Sequence, residues 1–286
     1  MSVQSTGRDL PIGVFDSGVG GLTVLRALQS SLPQERFLYL GDTARLPYGT
    51  KSAETIIKYA TQAATYLVAR GIKCLVVACN TASAAALDML QQQFATLPIV
   101  GVVEPGAEAA CKTSSNGQIV VIATEGTVQG GAYQRAIARN NPAAKVVARA
   151  CPLFVPLAEE GWVNGPIVEA IARRYLDDLF DGGVTADTLL LGCTHFPVLS
   201  DSLRSVVGAG VNIVDSADTT AAAVVKLLAE RNLLRSDSGR AGEVQFLATD
   251  GRERFARVAA YFLERPIPPQ SVELMNPAFS AKAIRP

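Results

Sequence analysis

Histidine is almost absent from this chain of 286 residues, which has His195 and no other. A single imidazole cannot supply a His₃ or Cys₂His₂ metal site, and any Cys-His or Ser-His catalytic pair must use this one residue. The five cysteines are odd in number, and no two of them have the spacing C-x-x-C. These counts argue against structural zinc and against a disulfide framework, and they favour free thiols in a reducing compartment.

The chain also lacks an excess of charge of either sign. Lys and Arg together number 26, as do Asp and Glu, so the formal net charge is zero. A protein that binds the phosphate backbone needs a basic excess or stripe, so we predict no nucleic-acid partner. No apolar run approaches the ~20 residues of a membrane helix, and the N-terminus has no signal-peptide core. We therefore expect a soluble, cytoplasmic, globular protein with no membrane partner.

Short apolar runs alternate with longer helical segments along the chain. The runs are rich in Val, Ile and Leu without polar alternation, which is typical of parallel strands buried on both faces. This order predicts an α/β fold with mostly parallel sheets. The predicted strands are 12–15, 37–40, 74–78, 99–103, 119–123, 145–148, 189–191, 211–214 and 244–248. So many strands favour two sheets, and the chain from Arg265 onward is predicted to be a loosely attached tail.

Two segments share one layout of strand, cysteine, threonine and helix. They are Leu-Val-Val-Ala-Cys-Asn-Thr at 75–81 and Leu-Leu-Leu-Gly-Cys-Thr-His at 189–195. The similarity suggests two related α/β units, with chance similarity in an Ala- and Leu-rich chain as the alternative. In each segment a cysteine, Cys79 or Cys193, lies where a helix N-terminus favours a thiolate. The other cysteines, Cys74, Cys111 and Cys151, are predicted to be small core residues.

A glycine-rich segment, Asp16-Ser-Gly-Val-Gly-Gly, follows the first predicted strand. Its glycines allow a ligand to approach the backbone, and the next helix offers N–H groups to an anion. Thr23 occupies the third glycine position of a dinucleotide-binding motif, and no P-loop lysine follows. A tight turn with Asp16 as a helix cap is the alternative. Polar loops at 41–49 and 124–128 also offer groups suited to a small zwitterion, with ordinary loop chemistry as their alternative.

Six motifs, in order and at fitting spacing, resemble those of bacterial glutamate racemases. They are Asp16-Ser-Gly-Val-Gly-Gly, Gly41-Asp-Thr-Ala-Arg-Leu-Pro-Tyr-Gly49, Cys79-Asn-Thr-Ala-Ser83, Gly126-Thr-Val-Gln-Gly-Gly131, Cys151-Pro-Leu-Phe-Val-Pro156 and Gly192-Cys-Thr-His-Phe-Pro197. The resemblance implies a cofactor-independent amino-acid racemase with two pseudo-symmetric α/β domains and an active site between them. We assign residues 1–98 with 212–286 to the first domain and 99–211 to the second.

The resemblance also implies roles for individual residues. Cys79 would deprotonate D-glutamate, and Cys193 would deprotonate L-glutamate. Asp16 and His195 would assist the thiols, together with a glutamate that we place at Glu159 in preference to Glu160. The implied substrate contacts are Asp16, Ser17, Tyr48, Gly49, Asn80, Thr81, Thr127, Thr194 and His195. No metal or cofactor is implied, and the expected partners are glutamate and a second copy in a homodimer.

Racemisation explains why two thiols are needed. A proton must leave one face of Cα and return to the other, so one group is required on each face, about 3–3.5 Å from Cα. The product D-glutamate would serve peptidoglycan synthesis. An aspartate racemase or related thiol isomerase would use the same paired cysteines. The sequence is also compatible with a dicarboxylate-binding protein without catalysis and with a redox protein that uses the two thiols directly.

Overall fold

Two sheets form the framework of the computed structural model, which describes residues 7–180, 186–236 and 241–276. The first sheet has six strands in the order β10-β9-β2-β1-β3-β4, and the second has four strands in the order β6-β5-β7-β8. All the strand pairs are parallel, so the predicted α/β fold is confirmed. The strands are β1 Ile12–Asp16, β2 Phe37–Gly41, β3 Cys74–Val77, β4 Ile99–Gly101, β5 Gln118–Ala123, β6 Lys145–Ala150, β7 Thr188–Gly192, β8 Asn212–Asp215, β9 Val244–Ala248 and β10 Val272–Leu274.

Helices follow most of the strands and cover both sheets. They are α1 Leu22–Ser31, α2 Ala53–Ala69, α3 Asn80–Gln93, α4 Val103–Thr113, α5 Glu125–Gly130, α6 Ala132–Asn140, α7 Phe154–Glu159, α8 Pro166–Phe180, α9 Ser200–Val207, α10 Ser216–Glu230 and α11 Arg252–Leu263. Short 3₁₀ turns lie at Gly7–Asp9, Tyr48–Thr50, Phe196–Leu199 and Pro269–Ser271. None of the helices in the described residues is long and apolar enough to cross a lipid bilayer.

The two sheets repeat one topology. The order β2-β1-β3-β4 in the first sheet corresponds to β6-β5-β7-β8 in the second, and β9 and β10 extend the first sheet beyond β2. The strand before Cys79 is β3 and the strand before Cys193 is β7, so the two cysteines follow equivalent strands. The similarity between segments 75–81 and 189–195 therefore has a structural basis.

Alternate residues of each strand enter opposite cores, which explains the continuous apolar runs. In β1, Ile12 and Val14 pack in one cluster while Phe15 packs in the cluster on the other face of the sheet. In β7, Leu189 and Leu191 pack on one face and Leu190 on the other. Strands buried on both faces have no exposed side to carry polar residues.

The prediction of a loose tail from Arg265 onward is wrong for the described part of that segment. Ile267, Val272 and Met275 are buried, and β10 pairs with β9 at the edge of the first sheet. Three of the prolines that suggested irregular chain, Pro266, Pro268 and Pro269, lie before the strand, and Pro269 begins the 3₁₀ turn Pro269–Ser271. The rest of the predicted tail, residues 277–286, lies outside the described residues.

The two sheets do not divide at the predicted domain limits. Strand β4 begins at Ile99 and pairs with β3 in the first sheet, although residues from 99 onward were assigned to the second domain. Strand β8 begins at Asn212 and pairs with β7 in the second sheet. Hydrophobic patterning identifies a strand but not its neighbour, which accounts for both differences. The domain limits themselves stay a prediction.

We predict that Val272→Asp destabilises the protein, because Val272 is 1% exposed and a charge there has no partner. The expected loss in the free energy of unfolding is about 3 kcal/mol. Urea denaturation measures it. Gln270→Asp, at an exposed position nearby, is the control and should change stability little. Equal effects of the two variants would contradict a packed C-terminal strand.

Candidate active site

Loops at the carboxyl ends of the two sheets meet and interlock. Thr23 Oγ1, in the first turn of α1, donates to the backbone oxygen of Thr194 at 3.1 Å. Asn80 Nδ2, after β3, donates to the hydroxyl oxygen of Tyr133 in α6 at 2.6 Å. Ligands of parallel α/β folds bind at this end of the strands. The contacts bring the loops that hold Cys79 and Cys193 to one interface.

Cys79 occupies the N-cap of α3, as its position after β3 predicts. Its Sγ accepts from the backbone N–H of Ala82 at 3.4 Å and lies 3.4 Å from Ser17 Oγ. Burial raises the pKa of the Cys79 thiol to about 12, and the charge of Asp16 adds to this effect. The Ser17 hydroxyl and the Ala82 N–H act in the opposite direction. The surroundings of Cys79 therefore favour its neutral thiol form.

Asp16 is fully buried at the end of β1. Its Oδ2 accepts from the backbone N–H of Gly18 at 2.8 Å, whereas Oδ1 has no hydrogen-bond partner. Burial raises the pKa of this carboxyl, against the charge of His195 and several backbone N–H groups. The N-cap of α1 is Gly21, so the alternative of Asp16 as its helix cap is wrong.

Cys193 lies in a different setting, because its strand leads into a 3₁₀ turn whose N-cap is His195. Its Sγ lies 3.8 Å from His195 Nδ1. His195 Nε2 lies 3.2 Å from Glu159 Oε1, at the end of α7. Glu159 Oε2 accepts from Arg254 Nη2 at 2.6 Å. The structure thus places Glu159 beside His195.

The charges in this chain of contacts stabilise one another. Burial by itself lowers the pKa of His195, but hydrogen bonds and charges of Cys193 and Glu159 outweigh it and raise the pKa to about 10. Burial by itself raises the pKa of Glu159, but His195 and Arg254 together hold it below its ordinary value. The contacts therefore favour the cationic form of His195 and the carboxylate form of Glu159.

Polar side chains after Cys79 bind the other half of the molecule. Thr81 Oγ1 lies 3.0 Å from Thr124 Oγ1 and 3.1 Å from Thr127 Oγ1, and the last two hydroxyls lie 3.0 Å apart. We call these three residues the threonine triangle. Asn80 Oδ1 is buried without a hydrogen-bond partner. Asp16 Oδ1 and Asn80 Oδ1 are thus two buried acceptors close in the chain to Cys79 or to its partner Ser17.

Gly20 in the glycine-rich segment makes room for the second half of the molecule. A Cβ atom there would lie 2.4 Å from His195 Nδ1 and 2.5 Å from Thr194 Oγ1. The sequence suggested that these glycines allow a ligand to approach. At Gly20 the structure shows the imidazole and a threonine hydroxyl in that space.

The remaining predicted substrate contacts, Tyr48 and Gly49, lie in the polar loop after β2. Tyr48 is 1% exposed, and its hydroxyl donates to the Asp42 carboxylate, which also binds Arg45 and Thr249. A Cβ at Gly49 would lie 2.7 Å from Thr124 Cβ, so this loop packs closely on the threonine triangle. Tyr48 thus has a buried hydroxyl that is already bonded within its own loop.

The described residues contain no cluster of His, Cys, Asp and Glu side chains that could hold a metal ion. The expectation that the protein needs no metal or cofactor stays a prediction. Of the three cysteines predicted to be core, Cys74 and Cys151 are fully buried, but Cys111 is partly exposed on α4. An Ala-rich helix does not reveal which of its small residues face solvent.

A family model for Asp/Glu/hydantoin racemases matches residues 18–224. The chain belongs to this family. A glutamate racemase of Geobacter metallireducens is 52% identical over 252 residues, which cover 88% of this chain and 92% of the relative. The glutamate racemase of Thermus thermophilus, solved in complex with β-chloro-D-alanine, has a TM-score of 0.84 and 42% identity over 94% of this chain and 98% of its own.

A third comparison is the structure of glutamate racemase from Francisella tularensis in complex with D-glutamate. It has a TM-score of 0.87 and 37% identity, and it covers 95% of this chain and 99% of its own. The resemblance to glutamate racemases and the class of amino-acid racemase are therefore confirmed. The roles of individual residues stay predictions.

The sequence analysis missed three residues that contact predicted site residues. Arg254 binds Glu159, Tyr133 binds Asn80, and Asp42 binds Tyr48. Asp42 stands within one of the six motifs, so the sequence held a signal for it. Arg254 lies on an amphipathic helix far along the chain, where only the tertiary structure shows its contact.

We predict that Gly20→Ala impairs both stability and activity, because the new methyl group overlaps the His195 ring and the Thr194 hydroxyl. The expected loss in the free energy of unfolding is about 1–3 kcal/mol. Gly130→Ala is the matched control, since a Cβ at Gly130 meets nothing within 4 Å. Thermal denaturation measures the difference. A Gly20→Ala variant as stable as Gly130→Ala would contradict the close approach.

His195 should make stability depend on pH. A pKa raised from 6.5 to about 10 adds stability that is fully present below pH 6.5 and is lost as the pH rises through about 10. We expect the stability difference between the wild type and His195→Gln to shrink between these values. Urea denaturation at a series of pH values tests this. A difference that stays constant or grows with pH would show that the imidazole is not a stabilised cation.

Proposed function

We propose that this chain is a glutamate racemase that interconverts L- and D-glutamate by proton transfer at the α-carbon, with Cys79 and Cys193 as the two bases. One observation carries the proposal. The two thiols follow equivalent strands of two sheets whose carboxyl ends meet, so they reach the interface from opposite halves. This is the arrangement that a two-base reaction requires.

The interface also offers groups suited to an amino acid. The free acceptors Asp16 Oδ1 and Asn80 Oδ1 suit the α-ammonium group. Hydroxyls of the threonine triangle and of Thr194 suit a carboxylate, and backbone N–H groups add further donors. Donors around the carboxylate stabilise the negative charge that develops as the α-proton leaves. Ser17, Tyr48, Gly49 and His195 complete the set of substrate contacts that we propose.

From L-glutamate, the thiolate of Cys193 takes the α-proton and becomes a thiol. The electron pair left at Cα delocalises into the carboxylate, and the Cys79 thiol donates its proton to the opposite face. D-Glutamate and a Cys79 thiolate result. The reverse reaction begins with that thiolate, and proton exchange with solvent restores the first form.

Different neighbouring groups stabilise the two thiols in this scheme. The His195 cation, oriented by Glu159, stabilises a Cys193 thiolate. Asp16 and burial favour the neutral form of Cys79, which suits its role as the proton donor to the planar intermediate. Ser17 and the N-terminus of α3 then stabilise the thiolate that Cys79 becomes.

Removal of either thiol should abolish racemisation. We expect Cys79→Ala and Cys193→Ala to lower turnover by on the order of 10³-fold or more, because each removes one of two required proton carriers. The measurement follows the circular dichroism of purified protein with D-glutamate and no added cofactor. Cys111→Ala, which changes a partly exposed cysteine on α4, is the control and should retain activity. Near-normal turnover by either active-site variant would refute the two-thiol mechanism.

Isotope exchange and a substrate panel distinguish glutamate racemisation from the competing functions. In deuterium oxide, D- and L-glutamate should each gain deuterium at Cα during turnover. Binding without exchange would indicate a dicarboxylate-binding protein, and disulfide formation between the thiols without isomerisation would indicate a redox protein. Faster turnover of D-aspartate than of D-glutamate would indicate an aspartate racemase.

We further propose that the enzyme supplies D-glutamate for peptidoglycan and works in the cytoplasm as a homodimer. Free cysteines in the described residues support a reducing compartment. The homodimer rests on the prevalence of two-fold symmetric assemblies and on the resemblance to the family.

A further inference from the structure

Helix α11 joins the two halves at His195. The helix follows β9 of the first sheet, and its residue Arg254 binds Glu159 on α7, which follows β6 of the second sheet. The Phe262 ring, about two turns further along α11, packs edge-on against the His195 ring at a centroid distance of 5.3 Å. One helix of the first half thus contacts both the imidazole and its carboxylate partner.

The position of Arg254 does not stabilise helix α11. Arg254 is in the first turn of α11, where the helix dipole disfavours a cation. Its side chain is 54% exposed, and ion pairs between two exposed groups add little stability. The Glu159 side chain, however, is only 10% exposed and needs a partner for each oxygen. The geometry therefore points to a role for Arg254 in the placement of Glu159.

We propose that Arg254 is a positioning residue for the Cys193 half-reaction. It binds Oε2 of Glu159, so that Oε1 faces His195 Nε2 and the other ring nitrogen faces the sulfur of Cys193. This proposal rests on the proposed function, in which Cys193 exchanges the proton of L-glutamate. In this proposal Arg254 does not contact the substrate.

Loss of Arg254 should slow proton transfer at Cys193 and not at Cys79. With no cation at Oε2, the Glu159 carboxylate is free to rotate toward the adjacent cavity of about 290 Å³, which Glu159 and Arg254 line together with Val19 and Leu46. His195 then loses its acceptor, and proton transfer at Cys193 slows. Transfer at Cys79 keeps its own partners, Ser17 and Ala82.

The kinetic test uses Arg254→Ala, Arg254→Lys and the control Arg257→Ala, which removes an exposed cation from the same helix. We expect Arg254→Ala to lower kcat/KM about three- to tenfold, with partial recovery in Arg254→Lys and no change in Arg257→Ala. Because enantiomers have equal free energies, kcat/KM must fall equally in the two directions. The rate alone therefore cannot show which thiol is affected.

Kinetic isotope effects show which of the two thiols is affected. With substrates deuterated at Cα, Arg254→Ala should raise the isotope effect on kcat/KM for L-glutamate, where Cys193 removes the label. It should lower the effect for D-glutamate, where the later Cys193 step becomes limiting. Unchanged isotope effects with a raised KM would overturn the proposal and indicate that Arg254 binds the substrate. Equal behaviour of Arg254→Ala and Arg257→Ala would also overturn it.

A second measurement does not depend on activity. His195 is the sole histidine of the chain, so its imidazole nitrogens give one pair of NMR signals without further assignment. Arg254→Ala should shift these signals and Arg257→Ala should not. If the wild type fails to racemise glutamate, the proposed function fails while the NMR result still tests the placement of His195. Unshifted signals in Arg254→Ala would refute that placement.

Discussion

The interlocking of loops from opposite halves is the constraint on which the candidate site depends. Asn80, next to Cys79, binds Tyr133 of the second half. Near Cys193, the backbone oxygen of Thr194 accepts from Thr23 of the first half. These polar groups are buried, so each would lose its partner if the halves moved apart. The residue that follows each cysteine is therefore held by a contact with the opposite half of the molecule.

The fold repeats, but the polar partners of the thiols do not. Strands β3 and β7 hold equivalent places, yet Cys79 caps a helix and lies beside the Ser17 hydroxyl, whereas Cys193 lies beside the His195 imidazole. A symmetric pair of thiols would have equal proton affinity and no defined resting form. The divergence of the two loops favours the neutral thiol at Cys79 and the cationic imidazole at His195. Similar backbones thus hold thiols in chemically different surroundings.

The sequence was most informative where one property decides the structure. Nine of the ten strands in the described residues were predicted because burial on both faces requires continuous apolar runs. Strand β10 was missed because it is an edge strand of three residues near prolines. The residues proposed for the site stood in motifs, and Glu159, which was preferred over Glu160 by resemblance, is the one that lies beside His195. Arg254 could not be predicted, since its partner lies far away in the chain.

The same reasoning explains why strand neighbours were harder to assign than strands. Leu75 of β3 pairs with Ile99 of β4, and nothing in the composition of 99–101 distinguishes this sheet from the other. The close approach at Gly20 was also beyond the sequence. A glycine shows that space is needed, but the occupant, here His195, comes from the other half.

The threonine triangle has a consequence for selectivity between charged and neutral ligands. Its three hydroxyls can satisfy one another in a closed ring, in either sense of rotation, because each donates once and accepts once. A neutral carbonyl that enters the ring merely exchanges one ordinary hydrogen bond for another. A carboxylate exchanges it for a stronger, charge-assisted bond and can turn more than one hydroxyl toward itself. Hydrogen bonds from these three hydroxyls therefore favour a carboxylate over a neutral carbonyl at this position.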